Sequence, residues 1–305
     1  MDCPTYHIPV MLNECMEGLG IKPDGIYADL TYGGGGHSRE IIKRLGKGGH
    51  LYGFDQDNDA KDGATDDERF TFVHSNFRFV ANWMQYYKVD GVDGILADLG
   101  VSSHHLDDGE RGFSFRYDAP LDMRMNRRSL TTAHDIVMDY PEGRLADIMF
   151  MYGELKQSRR IAAEIARHRK QKDIKTTGQL ADIVVPLLGR EREKKDLARI
   201  FQALRIEVNG EMKALEEMLD AATSVLKKNG RLAIITYHSL EDRIVKNHIR
   251  YSGTENGNDN REAWIFGNPT SALKDISKGV IVPSDEEIRN NPRSRSAKLR
   301  IAEKR

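Results

Sequence analysis

Residues 33–36 are four consecutive glycines, and this run restricts the fold more than any other feature of the chain. It directly follows a short apolar segment at 26–30 (IYADL), and a helical pattern that contains Ile41, Ile42 and Leu45 comes after it. A strand that passes through a glycine turn into a helix opens a βαβ unit, where the glycines let a ligand approach the backbone closely. The run therefore predicts a ligand-binding turn at the end of the first strand.

The alternation of strands and helices continues beyond this turn. Apolar runs at 49–55, 70–73 and 93–98 predict three more strands. Between the last two, helical spacing is shown by Phe79, Val80, Trp83, Met84 and Tyr87. Strands that alternate with helices at this pitch form a parallel sheet, so the predicted fold class is α/β with a mostly parallel sheet.

A helical segment then interrupts the alternation, from about residue 106 to residue 205. Helix starts are predicted at Thr131-Thr132, Pro141-Glu142 and Thr176-Thr177. The α/β pattern resumes with an amphipathic helix at 206–226 and a strand at 231–237, and weaker strand signals follow at 279–282 and 297–301. We therefore predict a discontinuous cofactor-binding domain at 1–106 and 206–305. The helical insertion at 107–205 is predicted to recognise the substrate.

The glycine turn is followed at a characteristic distance by Asp55, which ends the second predicted strand. An acid at this position can accept both hydroxyls of a ribose, so the pair predicts a nucleoside cofactor. A dinucleotide fold requires a third glycine, but Ser38 and Arg39 occupy the positions where it would stand. The loop suits S-adenosylmethionine better than NAD, and an NAD-dependent oxidoreductase remains the alternative enzyme.

Two further strand ends carry polar side chains. Asp98 ends the fourth strand and is a candidate to accept a hydrogen bond from a substrate amine or from the cofactor, because ligands of open α/β sheets bind at this edge. His104 and His105 follow it, and their adjacent positions do not suit a metal site. His238 stands at the tip of the late strand, where Ser239 and two acids predict a helix start.

The charges are balanced in number, with 46 Lys+Arg against 47 Asp+Glu, but they are not evenly distributed. Basic residues concentrate in one stretch of the insertion: Lys156, Arg159, Arg160, Arg167, Arg169, Lys170 and Lys172. A second group lies in the tail: Arg293, Arg295, Lys298, Arg300, Lys304 and Arg305. Such clusters are typical of surfaces that bind a phosphate backbone, so RNA is a candidate partner despite the net charge of −1, and a solvated helix face is the alternative.

The remaining composition points to the cytoplasm. No apolar run approaches the roughly 20 residues of a membrane helix, and the first residues lack the pattern of a signal peptide. The two cysteines, Cys3 and Cys15, are too few for a disulfide framework.

Taken together, the motifs resemble the RsmH (MraW) methyltransferases. The matching strings lie at 33–38 (GGGGHS), 98–103 (DLGVSS), 111–115 (RGFSF), 120–125 (PLDMRM), 201–206 (FQALRI), 238–243 (HSLEDR) and 291–300 (NPRSRSAKLR). The likeness follows the family's order from His7 to Arg300. Two segments depart from the family pattern: His104-His105 replaces the usual Pro-Gln, and residues 195–199 (KDLAR) replace a His-Pro-Ala-Thr-Arg string.

The resemblance implies a class I S-adenosylmethionine-dependent methyltransferase, which has a Rossmann-like sheet, here with an inserted helical domain. The implied reaction is methylation of the exocyclic N4 amine of a cytosine in 16S ribosomal RNA, in the decoding region of the small subunit. The cofactor would be contacted by Gly35, Gly36, His37, Asp55, Phe77, Asp98 and His105. No metal is required, because the methyl donor is already activated.

Asp98 is the predicted catalytic residue, because an amine conjugated with the ring needs a hydrogen-bond acceptor that later takes a proton. Methylation at carbon 5 of cytosine would instead need a cysteine nucleophile at a strand tip, and both cysteines precede the first strand. A non-catalytic RNA-binding or ribosome-assembly protein with a vestigial pocket is the alternative from a different class.

Overall fold

The computed structural model describes residues 9–100, 109–127, 129–252, 271–277 and 279–305. The described strands are β1 (Ile26–Asp29), β2 (His50–Asp55), β3 (Phe70–His74), β4 (Val92–Asp98), β5 (Leu226–Thr236), β6 (Leu273–Asp275) and β7 (Lys298–Lys304). The helices up to β4 are α1 (Leu12–Leu19), α2 (Gly36–Arg44), α3 (Asn58–Asp62) and α4 (Val80–Tyr86), and those that follow are α5 (Ala133–Asp139), α6 (Glu142–Met151), α7 (Ser158–Arg169), α8 (Thr177–Val184), α9 (Glu193–Asn209), α10 (Glu211–Val225), α11 (Ser239–Tyr251) and α12 (Asp285–Asn290). Short 3₁₀ turns lie at Phe77–Phe79, Val185–Leu187 and Pro292–Ser296.

The seven strands form one sheet in the order β3-β2-β1-β4-β5-β7-β6. The first five strands are parallel, and β7 is antiparallel to both β5 and β6. The mostly parallel α/β sheet predicted from the sequence is therefore confirmed. The strand order reverses between β1 and β4, which creates a crevice at the carboxyl ends of these strands.

Both faces of the sheet are covered, as a parallel sheet requires. Alternate residues of each strand enter two separate apolar cores, for example Leu96 on one side of β4 and Ile95 on the other. Helices α1 and α2 cover the first face, whereas α4, α10 and α11 cover the second. A third core lies wholly among residues 113–208 of the helical segment.

The chain divides into two compact units, residues 1–100 with 213–305 and residues 101–212. The division falls several residues outside the boundaries that we expected at 106/107 and 205/206. Helix α9 explains the difference at the second boundary, because it continues through residue 205 and ends only at Gly210. Gly210 has a φ of 58°, the left-handed conformation that commonly terminates helices.

Several element boundaries agree with local sequence signals and others do not. Thr132 and Thr176 cap α5 and α8 as predicted, each accepting a hydrogen bond from the third residue of its helix. The single helix predicted at 206–226 was wrong, because Gly210 separates α9 from α10. The predicted strand at 279–282 is reduced to one bridge between Ile281 and Leu299, and β6 was not predicted.

None of the helices in the described part of the chain has both the length and the apolar character needed to cross a membrane.

Candidate active site

The glycine turn between β1 and α2 has a backbone that only glycine adopts readily. Gly33 and Gly35 have φ values of 50° and 71°, and the Gly35 N–H donates to the carbonyl of Tyr32 at 2.7 Å. A Cβ on Gly35 would lie 2.6 Å from the Tyr32 hydroxyl, so a larger residue is excluded by both conformation and space. The chain passes from the glycine turn directly into α2. The first N–H groups of a helix have no partners within the helix.

Asp29, the last residue of β1, holds the glycine turn in place through two hydrogen bonds. Its Oδ1 accepts a hydrogen bond from the Thr31 N–H at 3.1 Å, and its Oδ2 accepts one from the Ser38 hydroxyl at 2.6 Å. Burial raises the pKa of this carboxyl, and His37 and the Ser38 hydroxyl offset part of that rise. Ser38 thus binds α2 to the end of β1 at the position where a dinucleotide fold would place its third glycine.

Asp55 ends β2 beside this turn. Its Oδ2 accepts a hydrogen bond from the Gly33 N–H at 2.8 Å, and its Oδ1 accepts one from the Asp57 N–H at 2.9 Å. Each carboxylate oxygen has a second lone pair, so the group can also receive hydroxyl donors. The carboxylate is partly exposed at the strand ends, where the sequence predicted a ribose acceptor.

Phe77 follows the next strand end. It is the first residue of a 3₁₀ turn that Asn76 caps, and the Ser75 N–H donates to the Asp55 carbonyl at 2.9 Å. The Phe77 ring is half-buried against the core on the α4 side of the sheet. The structure therefore places this ring at the strand end that neighbours Asp55.

Asp98 ends β4 on the other side of the glycine turn. Its N–H donates to the Thr31 hydroxyl at 2.7 Å, which binds the ends of β1 and β4 together. Tyr237, the residue that follows β5, is partly buried nearby, and its burial and the charge of Asp98 raise the pKa of its phenol. The structure thus brings Asp98, Asp55 and the glycine turn to one edge of the sheet.

Of the two histidines predicted at the cofactor, His37 lies among the described residues. The His37 side chain is buried, and its Nε2 lies 2.9 Å from the carbonyl oxygen of Val10. Its imidazole is therefore engaged with the segment before α1, which leaves its backbone for a ligand. His105 lies outside the described residues, as do Ser102, Ser103 and His104.

His238, whose role the sequence left open, caps α11. Its Nδ1 accepts a hydrogen bond from the Glu241 N–H at 3.4 Å, and the Glu241 carboxylate accepts one from the His238 N–H at 3.3 Å. The helix start predicted here is real, but the capping residue is His238 and not Ser239.

Three of the six cations of the basic tail make contacts within the fold, and the role of the tail as an RNA surface stays a prediction. Arg300 Nε lies 2.7 Å and Lys298 Nζ 3.3 Å from the carboxylate of Asp242. Lys304 Nζ donates to the carbonyls of Thr223 and Leu226 at 2.8 and 2.7 Å. These side chains belong to β7, whose position inside the sheet brings them against α10 and α11.

The basic residues at 156–172 in the insertion make fewer contacts within the fold than those of the tail. Arg167 pairs with Glu164, and Arg169 donates to the Val137 carbonyl at 2.8 Å. The other five cations are exposed and form no ion pair within the described ranges: Lys156, Arg159, Arg160, Lys170 and Lys172. Two of the five lie on α7 and three flank it in sequence, and we call this set the α7 basic face.

Thr31 and Tyr237 are site residues that the sequence analysis did not select. Thr31 accepts a hydrogen bond from the Asp98 N–H, and the Tyr237 phenol lies near enough to Asp98 for that charge to raise its pKa. A signal was present for Tyr237, because it follows the strand next to β4 and must reach the same edge of the sheet.

The strand order with a single reversed strand, the glycine turn after β1 and the acid that ends β2 define a class I S-adenosylmethionine-dependent methyltransferase. The comparisons with known proteins give the family. The chain belongs to the MraW methylase family, whose model matches residues 4–305. Its cofactor is therefore S-adenosylmethionine, which decides against the NAD alternative.

Curated relatives match over nearly the full length. The Ribosomal RNA small subunit methyltransferase H of Bacteroides thetaiotaomicron is 58% identical over 99% of this chain and 98% of its own. The protein of the same name from Porphyromonas gingivalis is 56% identical over the whole of both chains. Among solved structures, TrmN from Thermus thermophilus matches with a TM-score of 0.44 and 11% identity, over 97% of this chain and 48% of that chain.

Proposed function

We propose that this protein transfers a methyl group from S-adenosylmethionine to the N4 amine of a cytosine in the decoding region of 16S ribosomal RNA. The curated relatives carry names that state methylation of small-subunit ribosomal RNA, and this supports the substrate class. The observation that carries the proposal is the position of Asp98, a hydrogen-bond acceptor at the end of β4 beside the glycine turn. An amine substrate needs an acceptor at this place.

The described residues fit the cofactor. The backbone at Gly35 and Gly36 and the first N–H groups of α2 would receive its amino acid part, since a helix N-terminus favours a carboxylate. Asp55 would accept its ribose hydroxyls, and Phe77 would lie against its adenine. Residue 37 would contribute its backbone, because the His37 ring is bonded to Val10. His105 completes the predicted set from outside the described residues.

The chemistry needs little from the protein beyond positioning. When bound, S-adenosylmethionine supplies a methyl group on a positively charged sulfur; a new N–C bond forms as the S–C bond breaks, its electron pair returns to sulfur, and S-adenosylhomocysteine remains. Asp98 would accept a hydrogen bond from the cytosine amine, so that the nitrogen lone pair is less committed to the ring. After transfer, Asp98 would take the proton that the amine loses and pass it to water.

Access of the base sets a further requirement. A cytosine in folded RNA must be unstacked before its amine can reach a strand-end crevice. We assign RNA binding to the helical unit, because its α7 basic face presents five cations without internal ion pairs in the described chain. The substrate would be 16S RNA within the small ribosomal subunit, and the protein would then act in the cytoplasm.

Mass spectrometry of nucleosides from 16S RNA tests the proposal. RNA from cells that lack the gene should lose N4-methylated cytidine, and purified protein with labelled cofactor should restore it. The Asp98→Asn variant is the matched control, since it keeps the side-chain shape and removes the proton acceptor. Unchanged cytidine methylation in the deletion strain would exclude the proposed substrate. Normal subunit binding without any methyl transfer by the wild-type protein would favour the non-catalytic alternative.

A further inference from the structure

A side-chain hydrogen bond joins the two loops that follow β2 and β3. Gln56 directly follows Asp55 at the end of β2. Asn76 directly precedes Phe77 in the loop after β3. Nδ2 of Asn76 donates to Oε1 of Gln56 at 3.2 Å, and both residues are half-buried. The bond therefore connects the neighbours of the two residues that are expected to contact the ribose and the adenine.

A second contact of the Asn76 side chain sets the direction of this bond. Its Oδ1 accepts a hydrogen bond from the Arg78 N–H at 3.1 Å and so caps the 3₁₀ turn at Phe77–Phe79. The oxygen of the amide is thereby engaged, which leaves its NH₂ group as the donor toward Gln56. One side chain thus caps the turn that contains Phe77 and binds this turn to the loop after β2.

Backbone contacts already pair the two strands without this bond. Asp55 pairs with His74 in the parallel register of β2 and β3, and the Ser75 N–H donates to the Asp55 carbonyl at 2.9 Å. The Nε2 of His74 also lies 3.1 Å from the Gln56 carbonyl oxygen. Because these contacts hold the strand ends together, the amide bond adds a constraint on the loop residues beyond them.

The turn that contains Phe77 is also held on its other side. Nη1 of Arg78 lies 3.2 Å from a carboxylate oxygen of Glu217 on α10. The Phe77 ring itself is half-buried against the core on the α4 side of the sheet. Asn76 supplies a contact in the opposite direction, toward the strand end that carries Asp55. The turn is therefore fixed between α10 and the end of β2.

We propose that Gln56 and Asn76 are positioning residues for the cofactor, because their hydrogen bond sets the separation between Asp55 and Phe77. The inference rests on the proposed function through the assignment of Asp55 to the ribose and Phe77 to the adenine. A single covalent bond joins these two groups in the cofactor, so their contacts in the protein must stand at a fixed separation. A site that is ordered beforehand binds more tightly, since less ordering is left for the binding step. Neither amide needs to touch the cofactor to act in this way.

Gln56→Leu tests the inference, since leucine fills much of the same space and removes the acceptor. Loss of this neutral hydrogen bond should weaken S-adenosylmethionine binding about three- to tenfold in calorimetric titration. Gln56→Glu should restore binding to within about twofold of wild type, because a carboxylate still accepts from Asn76. Gln179→Leu is the matched control. It removes a glutamine oxygen that accepts from the Lys175 N–H at 2.8 Å in the helical unit, and cofactor affinity should not change.

A double-variant cycle with Phe77→Leu separates positioning from a general loss of structure. If the bond acts by placing the Phe77 ring, Gln56→Leu should cost less than about twofold in a chain that already carries Phe77→Leu. An equal loss in both backgrounds would overturn the inference. If Gln56→Leu does not fold, Asn76→Ser replaces it. Serine still caps the turn but lacks the amide donor, so the same weakening of cofactor binding is expected.

The titrations distinguish failure of the inference from failure of the proposed function. Wild-type affinity in Gln56→Leu or Asn76→Ser, with weakened binding in Phe77→Leu, would overturn the inference alone. Wild-type affinity in Phe77→Leu would instead overturn the assignment of this ring to the adenine, and the inference with it. None of these measurements depends on which nucleotide is methylated, so the proposed substrate can fail while the inference stands.

Discussion

The backbone N–H of Gly33 lies 2.8 Å from Oδ2 of Asp55, so a hydrogen bond holds the glycine turn after β1 at the end of β2. Asp55→Asn can keep this bond through its amide oxygen, but it loses the bond from the Asp57 N–H and removes the charge that strengthens hydrogen bonds from a ribose. A charge-assisted hydrogen bond contributes about 1.5–3 kcal/mol, so cofactor affinity should fall about 10- to 100-fold. Calorimetric titration measures this, with the exposed Asp66→Asn as control. Equal affinities would show that Asp55 does not hold the ribose.

Gly35→Ala should weaken both the fold and cofactor binding. The left-handed backbone costs a residue with a Cβ about 1–2 kcal/mol, and the added methyl would meet the Tyr32 hydroxyl. We expect a lower urea midpoint and at least tenfold weaker cofactor binding. Gly143→Ala is the control, since Gly143 lies in α6 with open space around it. This substitution should raise the free energy of unfolding by about 0.4–1 kcal/mol. A Gly35→Ala protein as stable as wild type would contradict the role given to this turn.

Asp242 should contribute pH-dependent stability. Its pKa is lowered because Arg300 and Lys298 outweigh the effect of partial burial. A carboxyl with a lowered folded pKa stabilises the protein above its unfolded value, about 3.9, and this stabilisation is lost as the pH falls through the folded value. Asp242→Asn should therefore lower the free energy of unfolding at pH 7 by about 1–3 kcal/mol, and by much less near pH 3. Urea denaturation at both pH values measures the difference, and an equal loss at both would exclude this ion pair as the cause.

The α7 basic face should set the salt dependence of RNA binding. Each phosphate contact contributes about 0.7–0.9 to the slope of log affinity against log salt. Replacing Arg159, Arg160 and Lys170 by alanine should reduce that slope by about 2–3, as measured by filter binding of a 16S RNA fragment in increasing KCl. The control replaces three exposed lysines of the other unit: Lys43, Lys47 and Lys228. Equal slopes in both triple variants would show that this face does not contact RNA.

A chain that ends at residue 292 should not fold cooperatively. The deletion removes β7, which pairs with β5 on one side and β6 on the other, together with the bonds of Lys304 to the end of α10. Circular dichroism should show no cooperative thermal transition. Alanine at the exposed Arg295 and Arg305 leaves these contacts intact and should melt like wild type. A truncated chain that melts at the wild-type temperature would show that β7 is dispensable.

Local sequence patterns predicted most of the strands and several helix starts. The apolar runs and glycine stops around β1 to β4 are within two residues of the observed strand ends, because hydrophobic periodicity and turn chemistry act over a few residues. The threonine caps of α5 and α8 were predicted for the same reason. Gly210 is also a local signal, and it ends α9 inside the segment predicted as one helix.

What the sequence by itself determined is therefore the parallel α/β sheet, the glycine turn and the acids at its strand ends, with the family resemblance supplying the expected reaction. Only the tertiary structure decided which charges are available to a partner. Arg300 meets Asp242 across 58 positions of the chain, and Lys304 meets Leu226 across 78. It also placed the Nε2 of His37 within hydrogen-bond distance of the Val10 carbonyl. Such pairings depend on how distant elements pack, and no local pattern of residues encodes them.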